Sequence, residues 1–169
     1  EKTKRLMKKD PNQVPFYNYI GLSHRQLGQN SSAEIFLKKG LEIFPDNSSL
    51  ICNLGALYRH MAKFKEAEYY LKRGLELKEN DFNILCNYGN LKRDLNKNKD
   101  AIQYYIRAYE INNNNETLLL NLAGAYGIDA DFDKSKKILE ELHSKFPNNI
   151  KADFMYSSIH SYTESDDHR

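Results

Sequence analysis

Cysteine is scarce. Two in 169 residues are too few for the disulfide framework that staples small secreted domains. Neither sign of charge dominates, with 25 basic and 23 acidic side chains and a formal net charge of +2. Nucleic-acid binders ordinarily carry a basic excess or stripe, so that class is set aside. No apolar run approaches the ~20 residues of a membrane-spanning helix. The opening segment from Glu1 to Met7 has no apolar core of a signal peptide. A cytoplasmic protein with no membrane partner is expected. No Ser/His/Asp set, phosphate loop or cofactor fingerprint is present, so neither catalysis nor a cofactor is expected. His24, His60, His143, His160 and His168 show no metal-ligand spacing. The glycosylation sequons at Asn30, Asn47 and Asn115 are what chance supplies in so asparagine-rich a chain.

What the chain does have is a period. Gly21, Gly55 and Gly89 stand 34 residues apart, as do Ala33, Ala67 and Ala101. Pro11, Pro45 and Pro147 share a column, with Glu79 and Asn113 in the gaps. Gly40, Gly74 and Ala108 make another small column. Large apolar columns run beside them, Ile20/Leu54/Tyr88/Leu122 and Leu37/Leu71/Tyr105/Leu139. Several columns sharing one period mark a repeat architecture. With 40% hydrophobic and 28% charged residues, the chain can bury a core.

Each unit reads as two helices. In the second unit Ile51, Leu54, Leu57 and Tyr58 recur at helical spacing, and Phe64, Ala67 and Leu71 begin another stripe. The stretch His60 to Lys65 joins them, the second helix runs to about Leu77, and Lys78 to Asp81 is the turn onward. Gly28 closes the first helix of its unit in the left-handed conformation, and Ser31 with Glu34 reads as a capping box. Small residues let paired helices approach, while large ones fill the space between hairpins.

These columns resemble the tetratricopeptide repeat. The small and large signature positions fall on Tyr17, Ile20, Gly21, Ala33, Leu37, Gly40 and Pro45, and on the same columns later. The resemblance implies an all-α, right-handed superhelix of antiparallel helix pairs, with units at 14–47, 48–81, 82–115 and 116–149. Residues 1–13 are expected to be the end of a truncated preceding repeat, in a piece excised from a longer protein. Residues 150–163 are expected to form a capping helix, with Phe154 and Ile159 covering the last hairpin, and 164–169 a polar tail. In the fourth unit Ala123, Ser135 and Leu142 replace the more usual residues. Leu142 in a small column implies looser packing there, or a boundary.

The first helices would line the concave face. An asparagine column, Asn53, Asn87 and Asn121, runs there, with Asn18 and Asn90 beside it and an arginine column, Arg25, Arg59 and Arg93. Amides both donate to and accept from an extended backbone, and arginines fork onto carboxylates. These residues form the candidate peptide groove. The asparagine column is similar to the ladder in the repeat domain of O-linked N-acetylglucosamine transferase, with three rungs. The family's carboxylate clamp needs a lysine where Asn18 and Leu22, or Cys52 and Ala56, stand, so that clamp is not expected. Asp129, Asp131, Asp133 and Glu140 imitate a calcium loop, but Lys134 occupies its glycine position. These acids are expected to cap a helix instead.

The function expected is a protein-interaction scaffold for an extended, acidic peptide or partner segment. Self-association through exposed stack ends is expected as well. The alternative is the substrate-positioning repeat region of a larger transferase, sulfotransferase-like or glycosyltransferase-like. The segment Ser158 to Thr163 is similar to the ends of repeat arrays that precede a sulfotransferase-like domain. Cys52 and Cys86, in one column of adjacent units on parallel first helices, are expected to stay unbridged.

Overall fold

The computed structural model describes residues 14–166, with side chains described through Ile159. The described residues form nine helices and no strand: α1 Val14–Gln26, α2 Asn30–Ile43, α3 Ser48–His60, α4 Phe64–Leu77, α5 Phe82–Asp94, α6 Asn98–Ile111, α7 Glu116–Ile128, α8 Phe132–Lys145 and α9 Ile150–Asp166. The expected repeat end at 1–13 and the last tail residues, 167–169, lie outside the described residues. The final helix runs past its expected end at 163 to Asp166.

Local chemistry starts and stops these helices on the same 34-residue beat. The first helices α3, α5 and α7, and α9 after them, open on a side-chain cap. Asn47 Oδ1 accepts from Leu50 N, Asp81 from Asn83 and Ile84 N, Asn115 from Leu118 N and Asn149 from Ala152 N. Each satisfies a backbone donor that the first turn would otherwise strand. First helices close on a left-handed residue: Gly28 at φ 72°, Ala62 at 55°, Asn96 at 58° and Ala130 at 58°. The next amide then reaches back, as in Lys63 N to Tyr58 O at 2.9 Å and Lys97 N to Lys92 O at 2.8 Å. That is a Schellman turn, used four times.

This turn displaces the expected capping box. Gln29, not Ser31, precedes α2, and no side chain caps that end. The backbone leaves the left-handed turn already helical, with Ala33 N bonded to Gln29 O, so Ser31 is inside the helix. Glu34 instead binds Lys38 and Tyr58. Of the four acids of the fourth unit, Asp131 acts as expected: its Oδ1 accepts from Lys134 N at the start of α8, while Glu140 accepts from the Tyr156 hydroxyl instead.

The contacts divide the chain into two units, one ending at Glu79 and the other beginning at Asn80. In the first, α1 pairs with α2 and α3 with α4, and α3 also touches α1 and α2. In the second, α5 pairs with α6 and α7 with α8, α7 touches α5 and α6, and α9 lies against α7 and α8. Within hairpins the small column permits close approach. A Cβ at Gly21 or Gly55 would stand 2.7 Å from Leu37 or Leu71, and one at Gly89 2.6 Å from the Tyr105 ring.

Between hairpins size is matched pairwise. A Cβ at Gly40 would meet the Leu50 methyls at 3.0 Å, and Ala108 and Leu118 occupy the equivalent places. At the end of the second unit the sizes exchange: Leu142 stands in the small column and Ala152 in the large one. Leu142 is therefore completely buried in one cluster with Leu119, Ala123, Leu139 and Ala152, rather than loosely packed. Ser135, also fully buried, donates its hydroxyl to Ala123 O at 2.8 Å. Ile159 packs against this cluster with Met155 and Tyr156, but Phe154 does not. It is 73% exposed, because it lies on the opposite side of α9.

Candidate functional site on the first helices

In the first unit the candidate residues lie on α1 and α3. Asn18, Asn53, Arg25 and Arg59 are all half-buried. Asn53 Nδ2 donates to Asn18 Oδ1 at 3.1 Å, which ties the two first helices together. Arg25 and Arg59 stand in the last turns of their helices, where a cation meets the negative helix end favourably. Beside this face sits an ionic cluster. Glu34 Oε1 accepts from Lys38 Nζ at 2.6 Å and from the Tyr58 hydroxyl at 2.8 Å, and Lys63 is 3.7 Å from Oε2. The Lys38 hydrogen bond, more than any other cause, holds the Glu34 carboxyl below its usual range, while burial pushes the Tyr58 phenol up. The Tyr58 ring stacks on Tyr70, centroids 5.6 Å apart.

In the second unit the candidates lie on α5 and α7. Asn87 Nδ2 bonds the Asn83 carbonyl of its own helix at 2.9 Å. Arg93 Nη1 donates to Asn121 Oδ1 at 2.9 Å, and Asn121 Nδ2 to Asn90 Oδ1 at 3.2 Å. Asn90 Oδ1 also accepts from the Tyr105 hydroxyl of α6 at 2.7 Å. Asn90, Arg93 and Asn121 are thus brought together by direct contact, while Asn87 is turned onto its own backbone.

Tyr105 is the residue that reading the sequence missed. It stands in a column of leucines, Leu37, Leu71 and Leu139, where the sequence pattern predicts plain core packing. The whole side chain is buried, and its hydroxyl lies beneath Asn90. The available signal was a tyrosine among leucines opposite Gly89. Cys52 is buried and Cys86 half-buried, and neither is in a disulfide. Among the described residues no group of three or more His, Cys, Asp or Glu is placed to hold a metal ion. Nor is any helix there long and apolar enough to cross a membrane.

Helical hairpins of this length, with small residues where the helices meet and amides along the first helices, define a helical-repeat protein. Tetratricopeptide-repeat profiles match residues 14–47 and 82–115, and a second profile of the same description matches 49–80. The chain belongs to the tetratricopeptide-repeat family. No curated protein matches it by sequence. Among solved structures it is similar to PilF of Pseudomonas aeruginosa, at 19% identity and TM-score 0.84 over 92% of this chain and 70% of that one. It is similar also to YrrB, described as a TPR protein with an unusual peptide-binding site, at 17% identity and TM-score 0.74 over 97% and 84%. A MamA fragment from Desulfovibrio magneticus RS-1 matches at 15% identity and TM-score 0.78 over 90% and 86%. At these identities the likeness is one of fold.

Proposed function

We propose that the chain is a protein-interaction scaffold that holds an extended segment of its partner against the first helices of each unit. The observation that carries this reading is the pair of amide sets on adjacent first helices: Asn18 with Asn53, and Asn90 with Asn121. An asparagine amide has two donors and two acceptor lone pairs. The Asn18–Asn53 pair spends one donor and one acceptor on itself and keeps the rest for a backbone whose sequence it need not read. In the Asn90–Asn121 pair Arg93 and Tyr105 take up further oxygen lone pairs, and the remaining N–H donors are what the pair offers. Arg25, Arg59 and Arg93 add positive charge beside these amides, which favours an acidic partner. Membership of a family whose members hold proteins and peptides supports the same reading. The peptide site described for YrrB belongs to that protein, and it supports a peptide as the kind of ligand here.

The test begins with peptides selected from a displayed random library on the whole chain. Their affinity is then measured for the native protein, Asn53→Ala and Asn121→Ala. Each lost hydrogen bond is expected to weaken binding by roughly 0.5–1.5 kcal/mol, with the helical circular dichroism unchanged. Selected peptides that bind all three proteins equally would place the site elsewhere.

A further inference from the structure

Four side chains of the second unit form one hydrogen-bonded chain, and chemistry dictates its polarity. Arg93 has only N–H groups and cannot accept a hydrogen bond. The Asn121 atom that Arg93 Nη1 meets at 2.9 Å is therefore the oxygen. Asn121 must then turn its NH2 toward Asn90, 3.2 Å away, and the Asn90 atom facing it is Oδ1. The Tyr105 hydroxyl, 2.7 Å from the same oxygen, must donate to it. Asn90 Oδ1 is thus held by two donors, and the Asn90 NH2 is carried on the other side of the amide carbon.

Tyr105 reaches this position through a gap. A Cβ at residue 89 would stand 2.6 Å from its Cε1 and 2.7 Å from its Cδ1. Only glycine lets the ring pass beneath α5 and bring the hydroxyl up under Asn90. The leucines at the equivalent places of the other units have no hydroxyl to offer.

We infer that Tyr105 is a positioning residue for ligand recognition: with Arg93 it fixes the Asn90 amide with its NH2 outward. The patch formed by Asn90 and Arg93 then presents N–H donors and no amide oxygen, and it selects a carboxylate over a carboxamide. This rests on the binding face proposed above. An untethered asparagine would turn either edge to a ligand at little cost and would not discriminate. The tethered one accommodates an acceptor, while a carboxamide that brings an N–H to it finds no oxygen.

Three labelled probe peptides separate the sources of the carboxylate. They are a Gly-Glu repeat with an amidated C-terminus, its amidated Gly-Gln counterpart, and the Gly-Gln peptide with a free C-terminal carboxylate. The native protein is expected to prefer one carboxylate probe over the amidated Gly-Gln peptide by roughly tenfold, as for a hydrogen bond to a charged group. Tyr105→Phe keeps the ring and removes the donor. It is expected to reduce that ratio to about threefold or less, with unchanged helicity and with shifted side-chain amide resonances of Asn90 and Asn121. Asn90→Asp keeps the inward oxygen and places a second oxygen outward, so it should abolish the preference even where Tyr105→Phe folds poorly. A preference retained in both variants overturns the inference, as do Asn90 amide resonances that Tyr105→Phe leaves in place. No binding of any probe to the native protein, with the Asn90 resonances shifted in Tyr105→Phe, overturns the selectivity and traces the failure to the binding face rather than to the tether.

Discussion

Glycine serves two opposite purposes in this chain, and the neighbouring atoms tell them apart. At Gly89 a methyl group would stand 2.6 Å from the Tyr105 ring, and the ring is buried and cannot retreat. Gly89→Ala is expected to cost roughly 1–3 kcal/mol through overpacking. At Gly124, inside α7, the nearest atom to an added Cβ is Met155 Cε at 3.5 Å, an ordinary contact. Gly124→Ala is expected to stabilise by roughly 0.5–1 kcal/mol, since alanine loses less backbone entropy in a helix. Urea unfolding of the two variants checks both signs at once. Glu34 gives a second residue-scale expectation. Its native carboxyl pKa is lowered, chiefly by the Lys38 hydrogen bond, from an ordinary value of 4.5. A lowered carboxyl pKa contributes stability that is full above the ordinary value and fades as pH falls through the native one. Glu34→Gln should therefore lower stability at neutral pH by about 1 kcal/mol, a modest figure because Lys38 is half-exposed. The difference from the native protein should shrink steadily in acid below pH 4.5, which a denaturation series against pH would reveal. A difference independent of pH would mean that the charge is not what matters.

At the scale of the element, the sequence was most legible where a column had a single physical cause. The 34-residue beat located the hairpins because apolar faces and close helix approach leave few residue choices. Gly28 announced its turn. Ala62 and Ala130 did not, because alanine carries no mark of a left-handed conformation and adopts it here only because the flanking helices impose it. The candidate site was legible as a set of columns and not as contacts. Asn53, Asn87 and Asn121 look alike in sequence, yet one bonds Asn18, one its own backbone and one Asn90, since hydrogen-bond partners depend on neighbours that differ from unit to unit. The left-handed alanines make an element-scale prediction. Such a conformation costs an L-residue roughly 1–2 kcal/mol, so Ala130→Gly should stabilise the turn between α7 and α8 by about 1 kcal/mol net of glycine's entropy. A thermal melt would show this as a raised midpoint, and a lowered one would refute the strain. The size exchange at the end of the second unit makes another. Leu142→Ala should cost roughly 2–5 kcal/mol by opening a cavity. Ala152→Leu alone should overpack the same cluster, and the double variant should recover much of both losses. A double-mutant cycle measures that coupling directly. Strict additivity would mean that the two side chains do not share space.

At the scale of the whole molecule, what matters is how far a disturbance travels. Hairpins in a repeat protein touch only their neighbours, so stability is a sum of local terms rather than the property of one central core. The contacts of this chain fall into two units that part between Glu79 and Asn80. The Leu142 cluster belongs wholly to the second, drawing on α7, α8 and α9. The Asn18–Asn53 bond belongs wholly to the first. Opening a cavity at Leu142 should therefore raise amide exchange in α8 and α9 strongly, and leave α1 through α4 close to their native protection. Hydrogen exchange followed by mass spectrometry, peptide by peptide, separates the two regions without any ligand. The same variant should keep whatever peptide affinity resides in the first unit, because Asn18 and Asn53 share no packing with the damaged cluster. A uniform rise in exchange across all nine helices would be the contrary result. It would mean that the chain opens in one cooperative step and that the repeats are coupled more tightly than nearest-neighbour contact allows.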